Sequence, residues 1–154
     1  MRALVQRVRR ARVTAEGRLL GEIENGLLVL VSVGRGDTPE VFPKMADKIL
    51  NLRIFEDDQG KMNRSVQETG GGLLLVSQFT LHADCRRGRR PGFSDAAPPE
   101  LARPLFDEFV SRIRGQFHGL VATGEFGAKM DIELVNCGPV TIWLDSEELM
   151  PEGS

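Results

Sequence analysis

Thr80, His82 and Asp84 stand two residues apart in the run SQFTLHAD, residues 77–84. A hydroxyl, an imidazole and a carboxylate in that order suggest a nucleophile, its base and the group that orients the base. On an extended strand alternate residues share a face, which would put all three on one side. Distance argues against the triad: same-face neighbours lie roughly 6.6 Å apart along a strand, whereas nucleophile and base must come within about 3.2 Å. Read as structural residues, Thr80 is a β-former, His82 a surface histidine and Asp84 a cap for the following loop. The backbone offers other chemistry. Where a strand ends, its outgoing N–H groups leave the ladder and can turn to a bound oxygen as an oxyanion hole.

A second stretch, NCGPVTIWLD at 136–145, breaks a strand pattern with Gly138-Pro139. An ordinary turn between the last two strands is one reading. A cis bond before Pro139 is the other, and it would hold two successive carbonyls nearly parallel.

Positioning these stretches takes a mixed α and β scaffold in which strands outnumber helices. Residues 2–14 read as one or two strands, Glu16-Gly17 as a turn and 18–23 as another strand. Asn25-Gly26 is a hairpin signal before LLVLVSV, a strand at 27–33 covered on both faces. The segment 36–55 holds a first helix, capped by Asp37 or Thr38, with Val41, Met45, Ile49 and Leu52 at helical spacing. Gly70-Gly71-Gly72 closes an irregular segment, and LLLVSQFTL resumes as a strand through 81. After a loop at 85–99, a second helix starts near Pro98 or Pro99, with Leu101, Leu105, Phe109 and Ile113 every four residues and Phe106 beside them. Counted from Pro99, Pro104 is the sixth residue, which predicts a late start or a kink. LVATG, KMDIELV and VTIWL supply the last strands.

With 154 residues, 41% of them hydrophobic, one domain is expected. No leader pattern and no apolar run near ~20 residues is present, so a soluble, cytoplasmic protein is expected. Cys85 and Cys137 are the only cysteines and there are two histidines, which supports neither a disulfide framework nor a metal site. The formal net charge is −2, yet Arg2, Arg7, Arg9, Arg10, Arg12 and Arg18 oppose only Glu16 in the first 18 residues. Arg86, Arg87, Arg89 and Arg90 crowd a later loop, and the tail from Asp145 is acidic. Such arginines form either a solvated face or a phosphate-binding surface.

Together, SQFTLHAD, NCGPVTIWLD and the opening MRALVQRVRRARV resemble the D-aminoacyl-tRNA deacylase family over nearly the whole chain. IENGLLVLVSV, RIFEDDQGKMN, RRPGFSDAA and GEFGAKM resemble its intervening segments. The resemblance implies a compact three-layer fold of mostly antiparallel strands with two main helices. It implies a cofactor-independent homodimer, without metal, that proofreads translation by hydrolysing the ester between a D-amino acid and the terminal adenosine of tRNA. Ser77, Gln78, Phe79 and Thr80 match the pocket-floor motif; Gly138 and Pro139 match a motif that reaches in, in cis form, from the other subunit. Arg7 matches the arginine that orients the Gly-Pro segment, and Met130 a pocket-lining methionine. The Phe79 and Thr80 amides are the expected oxyanion donors. Cys137, where many relatives carry Asp, and Pro104, inside the second helix, depart from the family pattern.

Three rivals differ in what they predict. A related deacylase removing a small L-amino acid from tRNA would carry a variant first motif. A non-catalytic nucleic-acid-binding protein would use the arginines without turning over ester. A Thr-dependent hydrolase of small esters would act without tRNA.

Overall fold

A computed structural model describes residues 1–151; the last residues of the acidic tail, 152–154, lie outside the described residues. The sheet is assembled on β1 (Arg2–Ala15), one strand in the expected position. One edge of β1 is shared by β3 (Gly26–Ser32), which pairs with residues 2–8, and β2 (Arg18–Ile23), which pairs with residues 11–15. Along the other edge runs β8 (Asp131–Asp145). All three pairings are antiparallel. The β1–β2 turn carries positive φ at Glu16 (51°) and Gly17 (75°), the backbone that a two-residue hairpin requires.

Asn25-Gly26 forms no hairpin, because β2 and β3 both pair with β1 rather than with each other. Gly26 serves close approach instead: a Cβ there would lie 2.0 Å from the Gly72 carbonyl oxygen, where β3 meets β6 (Gly72–Ser77). β3 and β6 are parallel, as are β6 and β7 (Val121–Thr123), so the largely antiparallel sheet contains a parallel section. Parallel neighbours need crossovers. These carry the two main helices, α1 (Phe42–Asn51) before β6 and α3 (Pro99–Gln116) after it.

Both helices cover one sheet face, where Met45 and Ile49 of α1 join Phe109 and Ile113 of α3 over Leu27, Val29, Leu73 and Leu75. Phe42 and Phe109 meet edge to face at 5.4 Å. The opposite face curls on itself until β2 touches β7: a Cβ at Gly21 would lie 2.6 Å from Thr123 O. Val8, Val13, Ile23, Leu28, Leu74 and Val76 fill this nearly closed barrel. In section the layers are helices, one sheet wall and the opposite wall.

Local expectations meet three corrections. α3 starts at Pro99 without delay and runs through Pro104. Its core stripe is Ala102, Phe106, Phe109, Val110 and Ile113, with Leu105 packed at its margin, so of the expected row only Leu101, 57% exposed, turns to solvent. The segment expected to be irregular holds a small ribbon, β4 (Phe55–Glu56) with β5 (Met62–Arg64), and the short α2 (Val66–Thr69). Ser65 and Glu68 close a capping box on α2, a signal legible in the S-x-x-E spacing. In α1, Pro43 occupies the first turn, where its missing N–H removes no helical bond.

Candidate functional site

The strand carrying SQFT ends earlier than its apolar run suggests. β6 stops at Ser77, and Phe79–His82 form a 3₁₀ turn rather than strand. Thr80, His82 and Asp84 therefore do not share a strand face. Thr80 is exposed and its hydroxyl accepts from the Gln78 side-chain amide. His82 is buried, 7% exposed, with Nδ1 2.6 Å from Ser32 Oγ. Burial pushes the imidazole below its usual pKa, as do Arg2 and the Met1 ammonium, against smaller opposite effects of Asp37 and Asp145. Asp84 receives the Arg86 Nε and Nη2 (both 2.9 Å) and the Arg86 amide (3.0 Å). These bonds hold it down to about 2. It is the loop cap that its ordinary reading predicts, and no triad forms.

What the turn offers is backbone. Gln78 N–H donates to Val31 O at 2.8 Å, and the turn's own bonds resume with Leu81 N–H to Gln78 O at 3.2 Å. Between them, the Phe79 and Thr80 amides open the turn, where a helix-like segment leaves its first donors unpaired. Among the described residues neither has a protein acceptor. Ser77, Gln78, Phe79 and Met130 line a cleft of about 580 Å³, together with Phe93 and Phe126. Phe79, 56% exposed, meets Phe93 edge to face at 5.0 Å. Thr80 does not line the cleft.

A cationic loop is mounted beside it. Asp84 and Gly92 exchange backbone hydrogen bonds of 2.7 and 2.9 Å, closing the loop that holds Arg86 to Arg90. Arg35 Nε donates to Ser94 O at 3.0 Å and lines the cleft. Arg87, Arg89 and Arg90 are exposed and join no ion pair among the described residues. On β1, by contrast, Arg12 is paired with Glu133 at 3.0 Å.

The Gly-Pro segment is neither a chain-reversing turn nor part of that cleft. β8 pairs with β1 on both sides of it: Val8 faces Asn136 and Gln6 faces Thr141. Residues 137–140 thus bulge from one strand opposite Arg7 alone. Arg7 is 8% exposed; its Nε donates to Cys137 O at 3.1 Å and its Nη1 to Ile54 O at 2.7 Å. Asn136 Nδ2 donates to Arg7 O and Val140 O, both at 3.0 Å, and pins the base of the bulge. The Gly138-Pro139 bond is cis. Gly138 has φ +117°, and a Cβ on it would lie 2.6 Å from Arg7 Nη2, so glycine lets the arginine pack beneath the bulge. Cys137 meets Arg7 through its carbonyl, a contact indifferent to its side chain. Gly138 and Arg7 border a separate hollow of about 670 Å³ with Arg9, Phe55 and Cys137. One chain therefore places the expected residues in two groups.

The sequence profile of D-Tyr-tRNA(Tyr) deacylase matches residues 4–145. The chain belongs to this deacylase family. It is 58% identical over 149 residues to a D-aminoacyl-tRNA deacylase of Desulfitobacterium hafniense, covering 96% of this chain and 99% of the relative. Over 144 residues it is 58% identical to one of Pseudomonas entomophila, covering 94% and 99%. Among solved structures it superposes on a c-Myc DNA unwinding element binding protein with TM-score 0.90 and 41% identity, covering 94% of this chain and 98% of that one. A probable eukaryotic D-amino acid tRNA deacylase shares the fold, with TM-score 0.76 at 18% identity and coverage of 93% and 97%.

Sequence reasoning did not single out Phe93, Phe126, Asn136 and Ser32 in this deacylase-family chain. Ser32 had left a signal: a hydroxyl in the apolar run LLVLVSV must find a buried partner. Among the described residues, no group of three or more His, Cys, Asp or Glu could hold a metal ion, and no helix is long and apolar enough to cross a membrane.

Proposed function

We propose that this protein hydrolyses the ester of D-aminoacyl-tRNA, and of glycyl-tRNA, as a chiral proofreading enzyme. The observation that carries the reading is the pair of unengaged Phe79 and Thr80 amides at the end of β6, beside an aromatic cleft that suits a nucleoside. Water attacks the ester carbonyl, and the two amides hold the developing oxyanion, each donor worth about 3 kcal/mol. The C–O bond to the terminal ribose then breaks, and the ribose oxygen leaves with a proton. The adjacent 2′-hydroxyl of the substrate, implicated in the family, activates the water; no side chain of the turn is required as base. Ser77, Gln78 and Met130 shape the cleft.

Selectivity belongs to the Gly138 and Pro139 carbonyls, supplied by a second copy because one chain keeps them away from its own cleft. Gripping the substrate ammonium there fixes Cα, so an L side chain meets backbone while a D side chain points outward. Arg7 orients the bulge. Glycine has no Cβ to exclude, which is why glycyl-tRNA is a substrate. The exposed Arg87, Arg89 and Arg90 meet phosphates of the acceptor end.

Purified protein should release D-tyrosine from D-tyrosyl-tRNA and leave simple phenyl esters untouched. Turnover of small esters without tRNA would favour a general hydrolase. Binding without turnover would favour the non-catalytic nucleic-acid reading that the name of one solved relative, a c-Myc DNA unwinding element binding protein, invites. The shared site is tested by mixing two inactive variants, one disrupted at Gly138-Pro139 and one at Phe79-Thr80. Activity should return in the mixture, and its absence in a proven heterodimer would place both motifs in one subunit's site.

A further inference from the structure

Beneath the SQFT turn lies a buried polar pair that the reaction as described does not use. Ser32, at the end of β3, is 1% exposed, and its Oγ lies 2.6 Å from His82 Nδ1 and 3.4 Å from the Phe79 carbonyl oxygen. His82, the last residue of the turn, folds back under it. A second clamp comes from β1, where Arg2 Nη1 donates to Leu81 O at 2.9 Å.

The Phe79 carbonyl and the Thr80 amide belong to one peptide plane. In a trans peptide the C=O and N–H point in opposite directions. Anchoring the Phe79 oxygen from the interior side therefore aims the Thr80 N–H outward, where no acceptor among the described residues takes it. Ser32 has one proton to give. Given to Phe79 O, it leaves Oγ free to accept from His82 Nδ1–H, and the positioning role requires that tautomer of His82.

We infer that Ser32 and His82 are positioning residues for the oxyanion donor, fixing the Phe79–Thr80 peptide so that the Thr80 amide is aimed before substrate arrives. This rests on the deacylase reading and adds residues to it. Donors serve a transition state only when already oriented. Loss of the anchor should therefore slow the chemical step more than it weakens binding.

The test compares Ser32→Ala, Ser32→Thr, His82→Leu and His82→Asn in single-turnover deacylation of D-tyrosyl-tRNA, with the Thr80 amide followed by ¹⁵N NMR. Ser32→Ala and His82→Leu should lower the maximal rate about tenfold, less than the loss of a donor, with half-saturating concentration within about twofold. Ser32→Thr keeps the hydroxyl and His82→Asn keeps a donor near the Nδ1 position, so each should recover most of the rate. The Thr80 amide resonance should shift or broaden in the first pair and return in the second. An unchanged rate and amide signal in Ser32→Ala would overturn the assignment. So would losses that the conservative variants fail to restore. A wild-type protein without deacylase activity would count against the reaction, and the amide signals would still decide the positioning.

Discussion

In the proposed site Thr80 contributes its amide, while its hydroxyl is occupied by the side chain of Gln78. Thr80→Ala should keep deacylation within about tenfold of wild type, since the backbone donor survives. Abolished hydrolysis with binding and folding intact would restore the hydroxyl as nucleophile. His82 has a lowered pKa in the fold, so between its folded value and the ordinary 6.5 the unfolded chain binds the extra proton. Its contribution to stability is complete above about 6.5 and is lost as pH falls through the folded value. Urea denaturation at pH 7 and pH 5 should show a smaller loss for His82→Asn than for wild type. Arg7 is a buried guanidinium satisfying two carbonyls. Arg7→Met should cost about 2–4 kcal/mol in denaturant titration by leaving those acceptors without a donor.

Elements explain why these residues stand where they do. Pro104 lies in the sixth position of α3, exposed, and denies the Glu100 carbonyl its helical donor. Pro104→Ala should raise stability by about 2 kcal/mol, read as a higher midpoint in thermal or urea unfolding. The helix forms regardless because Phe106, Phe109 and Ile113 bury themselves against the sheet and outweigh that local loss. This is how far the sequence could be read: stripes of buried residues announced β1, β3, α1 and α3, since burial leaves a period in the residue types. It could not announce the end of β6. Leu73 to Val76 and then Phe79 suit strand and turn alike, and the turn depends on Ser32 and Arg2, far away in sequence, for its anchors. The Gly-Pro motif was visible as a break, but only the pairing of both its flanks with β1 makes it a bulge rather than a reversal.

At the scale of the whole molecule, local charge outranks the total. A formal net charge of −2 coexists with a loop beside the cleft in which Arg87, Arg89 and Arg90 join no ion pair among the described residues. Binding of tRNA carrying D-tyrosine in a non-hydrolysable amide linkage should weaken steeply with salt. Replacing Arg87, Arg89 and Arg90 with Ala should lower the log–log slope by about 2. An unchanged slope would move the phosphate contacts to Arg9 and Arg10 on β1. The central claim is that backbone groups, two amides from one copy and two carbonyls from the other, read chirality and perform the chemistry without a catalytic side chain. It is tested most directly by wild-type deacylation rates on D-tyrosyl-, L-tyrosyl- and glycyl-tRNA in parallel. The expected result is hydrolysis of the D-tyrosyl and glycyl substrates with L-tyrosyl-tRNA spared; equal cleavage of the two tyrosyl enantiomers would contradict it.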